Sequence, residues 1–350
     1  MNPDPDLSAD FARRLIDWQQ QHGRHDLPWQ ASRDPYRVWL SEIMLQQTQV
    51  VTVIPYYQRF LARFPTLADL AAAQQDEVLA LWSGLGYYSR ARNLHRAARI
   101  VAAEHGGVFP RHREQVAALP GIGPSTAAAI CAFAFGQRHA ILDGNVKRVL
   151  CRFFGIDGYP GDRPVEARLW QIADALAPAS GIEAYTQAQM DLGATVCSRS
   201  KPQCRLCPLQ QGCVARIEGR AASLPTPKPK KANPERETVM LLVRQHDRLL
   251  LQKRPPTGIW AGLWSLPEID STLQAEAWCQ TALGCRGDIE PPLAPFRHAF
   301  THFRLHITPL PVWVAPVLQA QQPGLQWLTL TQALQAGIPA PVRRILLGLR

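Results

Sequence analysis

The sequence predicts a multidomain protein in which an all-α region is followed, after a short linker, by a separate α+β domain. At 350 residues the chain is too long for one typical domain. From Phe11 to about Arg220, apolar residues recur three and four positions apart, which is the period of helices. Residues 223–236 then mix prolines with lysines, a composition typical of an extended linker. From residue 237 the pattern is that of strands, so a second fold is expected there.

Within the all-α region, which we assign to residues 1–222, no strand-like alternation interrupts the helical period. Hydrophobic residues make up 46% of the chain, which is enough for packed cores. The predicted helices cover residues 11–20, 38–50, 67–82, 91–104 and 165–176.

The α+β domain is assigned to residues 237–350. Residues 238–243 and 249–252 are β-rich runs separated by a polar turn, which predicts a hairpin. Residues 271–283 have a helical pattern. Residues 302–308 alternate between polar and apolar side chains, as a half-buried strand does.

The charge of the chain favours a polyanionic partner. Lys and Arg number 38 against 28 Asp and Glu, a net charge of +10, which suits DNA or RNA. We find neither a secretory leader nor an apolar run long enough for a membrane, so a cytoplasmic protein without a membrane partner is expected. In that compartment the eight cysteines are not expected to form disulfides.

The segment LPGIG at residues 119–123 leads into an apolar helix. Because Gly121 and Gly123 have no Cβ, the backbone can turn tightly and approach a ligand closely. The N–H groups that begin the next helix suit a phosphate. The segment is therefore a candidate clamp on a nucleic-acid strand, and an ordinary helix–turn–helix connection is the alternative.

Four cysteines follow the spacing Cys197-x6-Cys204-x2-Cys207-x5-Cys213, which indicates a metal centre in a reducing compartment. Structural zinc usually pairs two Cys-x-x-Cys motifs, and only one is present here. Four thiolates in one short loop can instead bind a [4Fe-4S] cluster, which we favour over zinc. The surrounding loop is basic, which suits contact with phosphates.

Three long motifs, WLSEIMLQQTQV at 39–50, LGYYSRARNL at 85–94 and LDGNVKRV at 142–149, occur together with the hairpin and the cysteine spacing. In this combination they resemble the adenine DNA glycosylases of the endonuclease III, or helix-hairpin-helix, superfamily. The resemblance runs from about residue 17 to the end. It implies a six-helix domain at about 26–136, a cluster domain formed by 1–25 and 137–222, and a Nudix-like domain that recognises the lesion.

The resemblance assigns two carboxylates to the reaction. Removing adenine requires a proton for the purine and negative charge beside the oxocarbenium-like sugar, as in glycoside hydrolysis. Glu42 has apolar neighbours that would raise its pKa, as an acid requires, whereas Asp143 near a helix N-terminus should stay ionised. The resemblance makes Glu42 the acid/base and Asp143 the sugar-stabilising group, and Asn145 is expected to order Asp143 or the catalytic water.

The base must leave the duplex to be reached. By resemblance, Gln47 and Tyr87 would enter the base stack, although core packing is an alternative for Tyr87. Trp29 and Gln30 would line the adenine pocket, and the loop around Thr301 would recognise 8-oxoguanine. The full predicted set of substrate- or DNA-contacting residues is Trp29, Gln30, Gln47, Thr48, Tyr87, Gly121, Gly123, Ser125, Phe300, Thr301 and His302.

Three positions refine this prediction. Relatives that also cut the strand have a lysine where this chain has Ser125, and a hydroxyl cannot form a Schiff base. Ser125 therefore favours a monofunctional enzyme, or serves only to begin a helix. Thr301 replaces the family's usual serine but keeps a hydroxyl that can donate and accept. Residues 262–268 start like a Nudix box, but only Glu276 follows them, so magnesium hydrolysis is not expected.

The predicted function is therefore a base-excision repair adenine DNA glycosylase. Its expected partner is double-stranded DNA with A:8-oxoguanine or A:G mispairs, bound by a monomer. A thymine or oxidised-pyrimidine glycosylase is the nearest alternative enzyme. A non-catalytic, cluster-bearing DNA-binding protein is the alternative from another class.

Overall fold

The structure is a computed structural model that describes residues 3–229, 233–315 and 323–349. Residues 230–232 of the predicted linker and 316–322 of the predicted α+β domain lie outside the described residues. The chain forms two compact units. The first unit contains the described residues of Met1–Leu61, Thr66–Ala68 and Arg96–Lys230, and the second those of Ala62–Pro65, Asp69–His95 and Lys231–Arg350.

In the predicted all-α region, every regular element among the described residues is a helix or a helical turn. Short 3-10 turns occur at Pro28–Ala31 and Cys204–Leu206, and a π-helical turn at Leu192–Val196. The helices are α1 (Pro5–His22), α2 (Pro35–Leu45), α3 (Val50–Arg63), α4 (Leu67–Ala72), α5 (Gln75–Trp82), α6 (Ser89–Glu104), α7 (Arg113–Ala118), α8 (Pro124–Phe135), α9 (Gly144–Phe153), α10 (Arg163–Leu176), α11 (Ile182–Asp191) and α12 (Val214–Ile217).

The single helix predicted over residues 38–50 is wrong. α2 ends at Leu45, α3 begins at Val50, and between them Gln47 has a left-handed φ of 56°. The apolar period continues across this turn because α2 and α3 both bury an apolar face, and periodicity reports burial rather than backbone direction. The helix predicted over 67–82 is likewise divided, into α4 and α5.

α8 lies at the centre of the first unit. Its residues Ala127–Ala132 are buried, and it has no polar face to expose. It packs against α2, α7 and α11, so it fixes the elements that carry the predicted site. α1 shares a core with the helices after α8, where the rings of Phe11 and Phe153 meet edge to face at 5.0 Å.

The second unit contains a mixed sheet in the order β3-β2-β1-β7-β5, with β4 beside β1, β6 beside β7 and β8 beside β2. β1 and β7 are parallel, and the other pairs are antiparallel. The strands are β1 (Glu235–Gln245), β2 (Arg248–Lys253), β3 (Trp264–Ser265), β4 (Glu268–Ile269), β5 (Gly287–Ile289), β6 (Phe296–Ala299), β7 (Arg304–Val314) and β8 (Leu325–Thr329). The helices that accompany them are α13 (Ala275–Leu283), α14 (Leu330–Gln335) and α15 (Ala340–Leu347).

The strand predictions are confirmed. β1 and β2 form the predicted hairpin, with Arg244 opposite Leu249. β7 begins at Arg304 and buries Leu305 and Ile307, as the alternation predicted. α13 occupies residues 275–283 of the predicted helix over 271–283, after a 3-10 turn at Thr272–Gln274, and packs on the sheet. Among the described residues, no helix combines the length and the apolar character that a membrane crossing requires.

Candidate active site

An open cavity of about 1150 Å³ lies in the first unit. Its walls come from the 3-10 turn at Pro28–Ala31 and its flanks, from α2 and the turn after it, from α8, from the start of α9 and from α11. A cavity of this size accommodates a nucleotide-sized ligand. The predicted site residues that line it are Trp29, Gln30, Glu42, Gln47, Thr48, Gly123, Ser125, Asp143 and Asn145.

Glu42 reaches the cavity from α2, a helix whose other residues are mostly buried. Burial, and to a lesser extent the charge of Asp143, raises the pKa of Glu42 to about 8. The predicted rise in this pKa is confirmed. A carboxyl group with such a pKa carries a proton at neutral pH and can donate it.

Asp143 is the N-cap residue of α9, which agrees with the predicted position near a helix N-terminus. Its carboxylate accepts hydrogen bonds from the backbone N–H groups of Asn145 at 3.1 Å and Val146 at 2.8 Å, and from Asn145 Nδ2 at 3.1 Å. Burial raises the pKa of Asp143, an effect that helix position alone did not suggest, while these bonds and the charge of Arg148 lower it. Hydrogen bonds lower the pKa of Asp143 but not that of Glu42, so of the two carboxyl groups Glu42 is the one that holds the proton.

Arg148 fixes Asn145 from the other side. Its Nη2 donates to Asn145 Oδ1 at 2.8 Å and to the Gly193 carbonyl at 2.5 Å, and its Nε donates to the Cys197 carbonyl at 2.7 Å. Gly193 packs against Asn145 so closely that an added Cβ would lie 2.5 Å from the Asn145 Cβ. The π-helical turn at Leu192–Val196 therefore supports the residues that hold Asp143.

The hairpin between α7 and α8 has the predicted backbone geometry. Gly121 has φ 81°, a conformation that favours glycine, and Gly123 is the N-cap of α8. A Cβ on Gly123 would meet no atom within 4 Å, so the space above this residue is open to a ligand. Gly123 lines the cavity, and Gly121 does not.

Ser125 has a structural contact as well as a place on the cavity wall. Its Oγ accepts a hydrogen bond from the Leu142 N–H at 2.9 Å. This bond ties the first turn of α8 to the segment that ends in Asp143. The hydroxyl therefore aligns two walls of the cavity.

Trp29 and Gln30 lie where the cavity meets a buried ion pair that sequence analysis missed. Gln30 accepts from the Leu27 N–H at 3.2 Å and donates to the Arg24 carbonyl at 2.9 Å. Arg24 in turn binds Asp191, whose side chain is 1% exposed, at 2.6 Å. Arg24 and Asp191 are 167 residues apart, so no local pattern could have linked them. Further lining residues that sequence analysis missed are Glu183, Gln187 and Met190.

Gln47 and Thr48 lie in the turn between α2 and α3. Gln47 is exposed, and its backbone is in the left-handed region, which is uncommon for a residue with a side chain. Thr48 is half-buried. Strain of this kind clusters at functional sites. The turn thus presents Gln47 at the rim of the cavity.

Tyr87 belongs to the second unit and lies between α5 and α6. It too is left-handed, with φ 48°, and its side chain is 45% exposed. This exposure argues against the alternative of core packing. Gly84 and Gly86 on its N-terminal side also have positive φ values, so the turn is tight.

The residues predicted to recognise the lesion form the turn between β6 and β7. The Phe300 ring stacks on Phe303 at 4.4 Å, with an angle of 16° between the rings, and lies 5.4 Å from the Trp260 ring. Thr301 and His302 are exposed at the tip, with Thr301 Oγ1 3.5 Å from His302 Nδ1. An aromatic stack therefore supports two exposed polar side chains.

The Nudix-like residues make contacts of their own. Glu268 pairs with Arg254 at 3.0 Å. Glu276 on α13 accepts from the Gly287 N–H at 3.3 Å.

The four predicted ligand cysteines, Cys197, Cys204, Cys207 and Cys213, surround one small cavity in the first unit. Burial raises the pKa of the Cys207 and Cys213 thiols, and backbone N–H groups that bond to them act in the opposite direction. Arg152 Nη1 lies 3.3 Å from Cys197 Sγ. Such donors stabilise thiolates, so the donor set fits an iron–sulfur cluster. Across the described residues, no three His, Cys, Asp or Glu side chains are placed to hold a single metal ion. Arg199, Lys201 and Arg205 of the same loop are exposed.

Comparison with family models gives two matches. Residues 40–175 match the HhH-GPD superfamily of base excision DNA repair proteins, and residues 238–348 match the NUDIX domain. Both models coincide with the regions whose folds are described above.

Similar proteins cover nearly the whole chain. The adenine DNA glycosylase of Buchnera aphidicola subsp. Acyrthosiphon pisum is 36% identical over 339 residues, which cover 96% of each protein. The adenine DNA glycosylase of Homo sapiens is 34% identical over 399 residues, covering 96% of this chain and 73% of the human protein.

Solved structures resemble the helical part. A thermostable thymine-DNA glycosylase is 30% identical, with a TM-score of 0.56, and covers 60% of this chain and 97% of its own. An endonuclease III in a non-covalent DNA complex is 21% identical, has a TM-score of 0.53 and covers 62% of this chain and 98% of its own. This similarity concerns the fold alone.

Proposed function

The chain belongs to the adenine DNA glycosylases of the HhH-GPD base-excision repair superfamily, and from that premise we propose that it hydrolyses adenine from A:8-oxoguanine and A:G mispairs with Glu42 and Asp143 as its two carboxyl groups. The observation that carries this proposal is that both groups line one cavity in opposite hydrogen-bonding environments. The acid role requires a carboxyl group that holds its proton, and the charge-stabilising role requires one that stays ionised.

In this mechanism Glu42 donates its proton to N7 of the flipped adenine, so the base leaves as a neutral purine. The developing positive charge of the sugar is stabilised by the Asp143 carboxylate, which Asn145 orients. Water then adds to the sugar and gives up a proton to the Glu42 carboxylate, which restores the acid as the abasic product forms. Ser125 offers no amine, so we propose a monofunctional enzyme that leaves the strand intact.

Around these groups, Trp29 and Gln30 would bind the adenine. Gln47, Thr48 and Tyr87 would contact the duplex from which the adenine has flipped out. The hairpin glycines Gly121 and Gly123 would bind a backbone phosphate, which the open space above Gly123 and the start of α8 support. DNA as the partner agrees with the net charge of +10.

Lesion recognition is assigned to Phe300, Thr301 and His302. A hydroxyl at position 301 can serve both the N7–H and the O8 of 8-oxoguanine, which guanine does not present. The exposure of Thr301 at a turn supported by aromatic rings favours this role.

We also propose that Cys197, Cys204, Cys207 and Cys213 hold a [4Fe-4S] cluster, which supplies a structural centre rather than a catalytic one. The four cysteines line one small cavity, and their spacing contains only one Cys-x-x-Cys motif, whereas structural zinc usually pairs two. The exposed Arg199, Lys201 and Arg205 would then face phosphates. Purified protein should contain about four irons per chain, and zinc without iron would overturn the assignment.

The deciding experiment compares base release from duplexes that carry A or T opposite 8-oxoguanine or G. We expect release of adenine only, from both A-containing duplexes and faster opposite 8-oxoguanine, with strand cleavage only after alkali. Release of thymine would favour the pyrimidine glycosylase alternative. Sedimentation of the free protein tests the further proposal that it acts as a monomer, and fractionation of cells tests its assignment to the cytoplasm.

A further inference from the structure

The turn that carries Tyr87, residues 83–88, is held from inside by its own neighbours. The Gly86 carbonyl accepts hydrogen bonds from Trp82 Nε1 and from Arg90 Nη2, each at 3.2 Å. The Arg90 guanidinium lies 5.4 Å from the centre of the Tyr87 ring. These contacts shape the turn, and all of them come from within nine residues of one another.

A second set of contacts comes from about 250 residues further along the chain. The Ile338 carbonyl, between α14 and α15, accepts from Ser83 Oγ at 2.9 Å and from Tyr88 Oη at 3.1 Å. The Tyr88 hydroxyl also accepts from the Gly84 N–H at 3.2 Å. Arg343 Nη2 donates to Ser83 Oγ at 3.1 Å. One carbonyl thus binds residues on both sides of Tyr87.

The loop that presents Ile338 is itself fixed. The Gly337 carbonyl accepts from the Trp264 N–H of β3 at 2.9 Å, which ties the loop to the sheet. On its other side, a Cβ added to Gly337 would lie 3.1 Å from the carbonyl carbon and the Cβ of Leu79 on α5. Glycine at this position is what lets the loop lie directly on α5. The turn at 300–303 belongs to the same sheet through β6 and β7.

We propose that Ser83, Tyr88 and Arg343 are positioning residues that hold Tyr87 in its DNA-entering conformation by attaching its turn to the Nudix-like domain. Tyr87 is in an unfavourable left-handed state that its surroundings must impose. Binding of the opposite base at the 300–303 turn and entry of Tyr87 into the duplex are then linked, because the loop that holds the Tyr87 turn is bonded to the sheet that carries the 300–303 turn. This inference rests on the proposed function, in which Tyr87 contacts DNA.

The test is a double-mutant cycle on an A:8-oxoguanine duplex under single-turnover conditions. Tyr88→Phe removes the hydroxyl but keeps the buried ring, and should slow excision about fivefold, as loss of one well-placed hydrogen bond does. In a Tyr87→Ala background, Tyr88→Phe should lower the excision rate less than about twofold, because the Tyr87 side chain that Tyr88 positions is then absent. A residue that served only general stability would cost the same in both backgrounds.

Two further variants keep the test decisive if Tyr88→Phe lowers the melting temperature. Gly337→Ala displaces the loop without removing any side chain, and Arg343→Gln removes the donor to Ser83. Both variants should slow excision in the wild-type background and cost less than about twofold in the Tyr87→Ala background. The matched control is Glu77→Gln on α5, which removes an ion pair with Arg63 at 2.5 Å, a pair that includes no residue of the turn or of the Gly337 loop. Its effect should be independent of Tyr87.

Two outcomes would overturn the proposal in distinguishable ways. If Tyr87→Ala is impaired while Tyr88→Phe, Gly337→Ala and Arg343→Gln all act equally in both backgrounds, the attachment does not work through Tyr87. If Tyr87→Ala excises adenine at the wild-type rate, the DNA-entering role of Tyr87 is itself wrong.

Discussion

The cavity around Asp143 and the turn at 300–303 hold their functional side chains in opposite ways. In the cavity, the Asp143 carboxylate is half-buried and accepts three hydrogen bonds from N–H donors, and the residue that orients it is itself bonded to Arg148. At the 300–303 turn, Thr301 and His302 are exposed, and aromatic rings pack beneath them.

This difference follows from what each region must do. A group that stabilises charge in the transition state acts best when its environment is already arranged and water is excluded, since no reorganisation is then needed during reaction. A group that distinguishes one base from another needs hydrogen-bonding capacity that remains available until DNA arrives. Substitutions in the cavity should therefore affect rate on every substrate, and substitutions in the turn should affect the choice between substrates.

The largest effect is expected for Glu42→Gln, which removes the proton donor and keeps the shape of the side chain. Excision should fall by roughly 100- to 10,000-fold, the usual range for a general acid. In wild type, excision should decline as pH rises through about 8, where Glu42 loses its proton. Single-turnover rates across pH measure both, and a fully active Gln variant would mean that water supplies the proton.

The same substitution has a stability signature of predictable sign. The folded-state pKa of Glu42, about 8, lies above its ordinary value of 4.5, so the native protein binds the proton more tightly. The stabilisation from this proton is complete below the ordinary pKa and is lost as pH rises to about 8. The free energy of unfolding of Glu42→Gln relative to wild type should therefore increase with pH over this window.

Asp143→Asn should be nearly as damaging, because it removes the charge beside the sugar cation and keeps the size. We expect a loss of roughly 100- to 1000-fold in the excision rate. Duplex binding, measured by fluorescence anisotropy, should be largely retained. An excision rate within tenfold of wild type would exclude Asp143 from the role proposed here.

A smaller effect is expected for Gly193→Ala, which tests the support of the cavity rather than its reacting groups. The new methyl would lie 2.5 Å from the Asn145 Cβ, so Asn145 must shift and Asp143 loses its orientation. Misplacement of this size typically costs about tenfold to a hundredfold in rate. Gly123→Ala is the matched control for rate at saturating DNA, since a Cβ there meets open space. Gly123→Ala should lower DNA affinity instead.

The smallest effect, and the one that separates the two regions, is expected for Thr301→Ala. Removing one hydrogen bond to a lesion-specific group should narrow the affinity gap between A:8-oxoguanine and A:G duplexes by tenfold or less. Excision from A:G should be nearly unchanged. Thr301→Ser is the control and should keep the gap, because it keeps the hydroxyl. If Thr301→Ala and wild type show the same difference in affinity between A:8-oxoguanine and A:G duplexes, the lesion is recognised by other residues.

By itself the sequence determined those features that depend on neighbours in the chain. The hairpin at 119–123, Asp143 as an N-cap and the burial of Leu305 and Ile307 all follow from local turn chemistry or from periodicity. The raised pKa of Glu42 was also predictable, because the residues beside it on α2 are apolar.

Only the tertiary structure decided which distant groups meet. The Arg24–Asp191 pair, the Leu142–Ser125 bond, the packing of Gly193 on Asn145 and the bonds to the Ile338 carbonyl join residues separated by 17 to 255 positions. Periodicity identifies the buried face of a helix but not the element that covers it, and for the same reason the turn at Gln47 was missed. Those pairings depend on how α-helices and sheet pack together, which is settled by the whole chain at once.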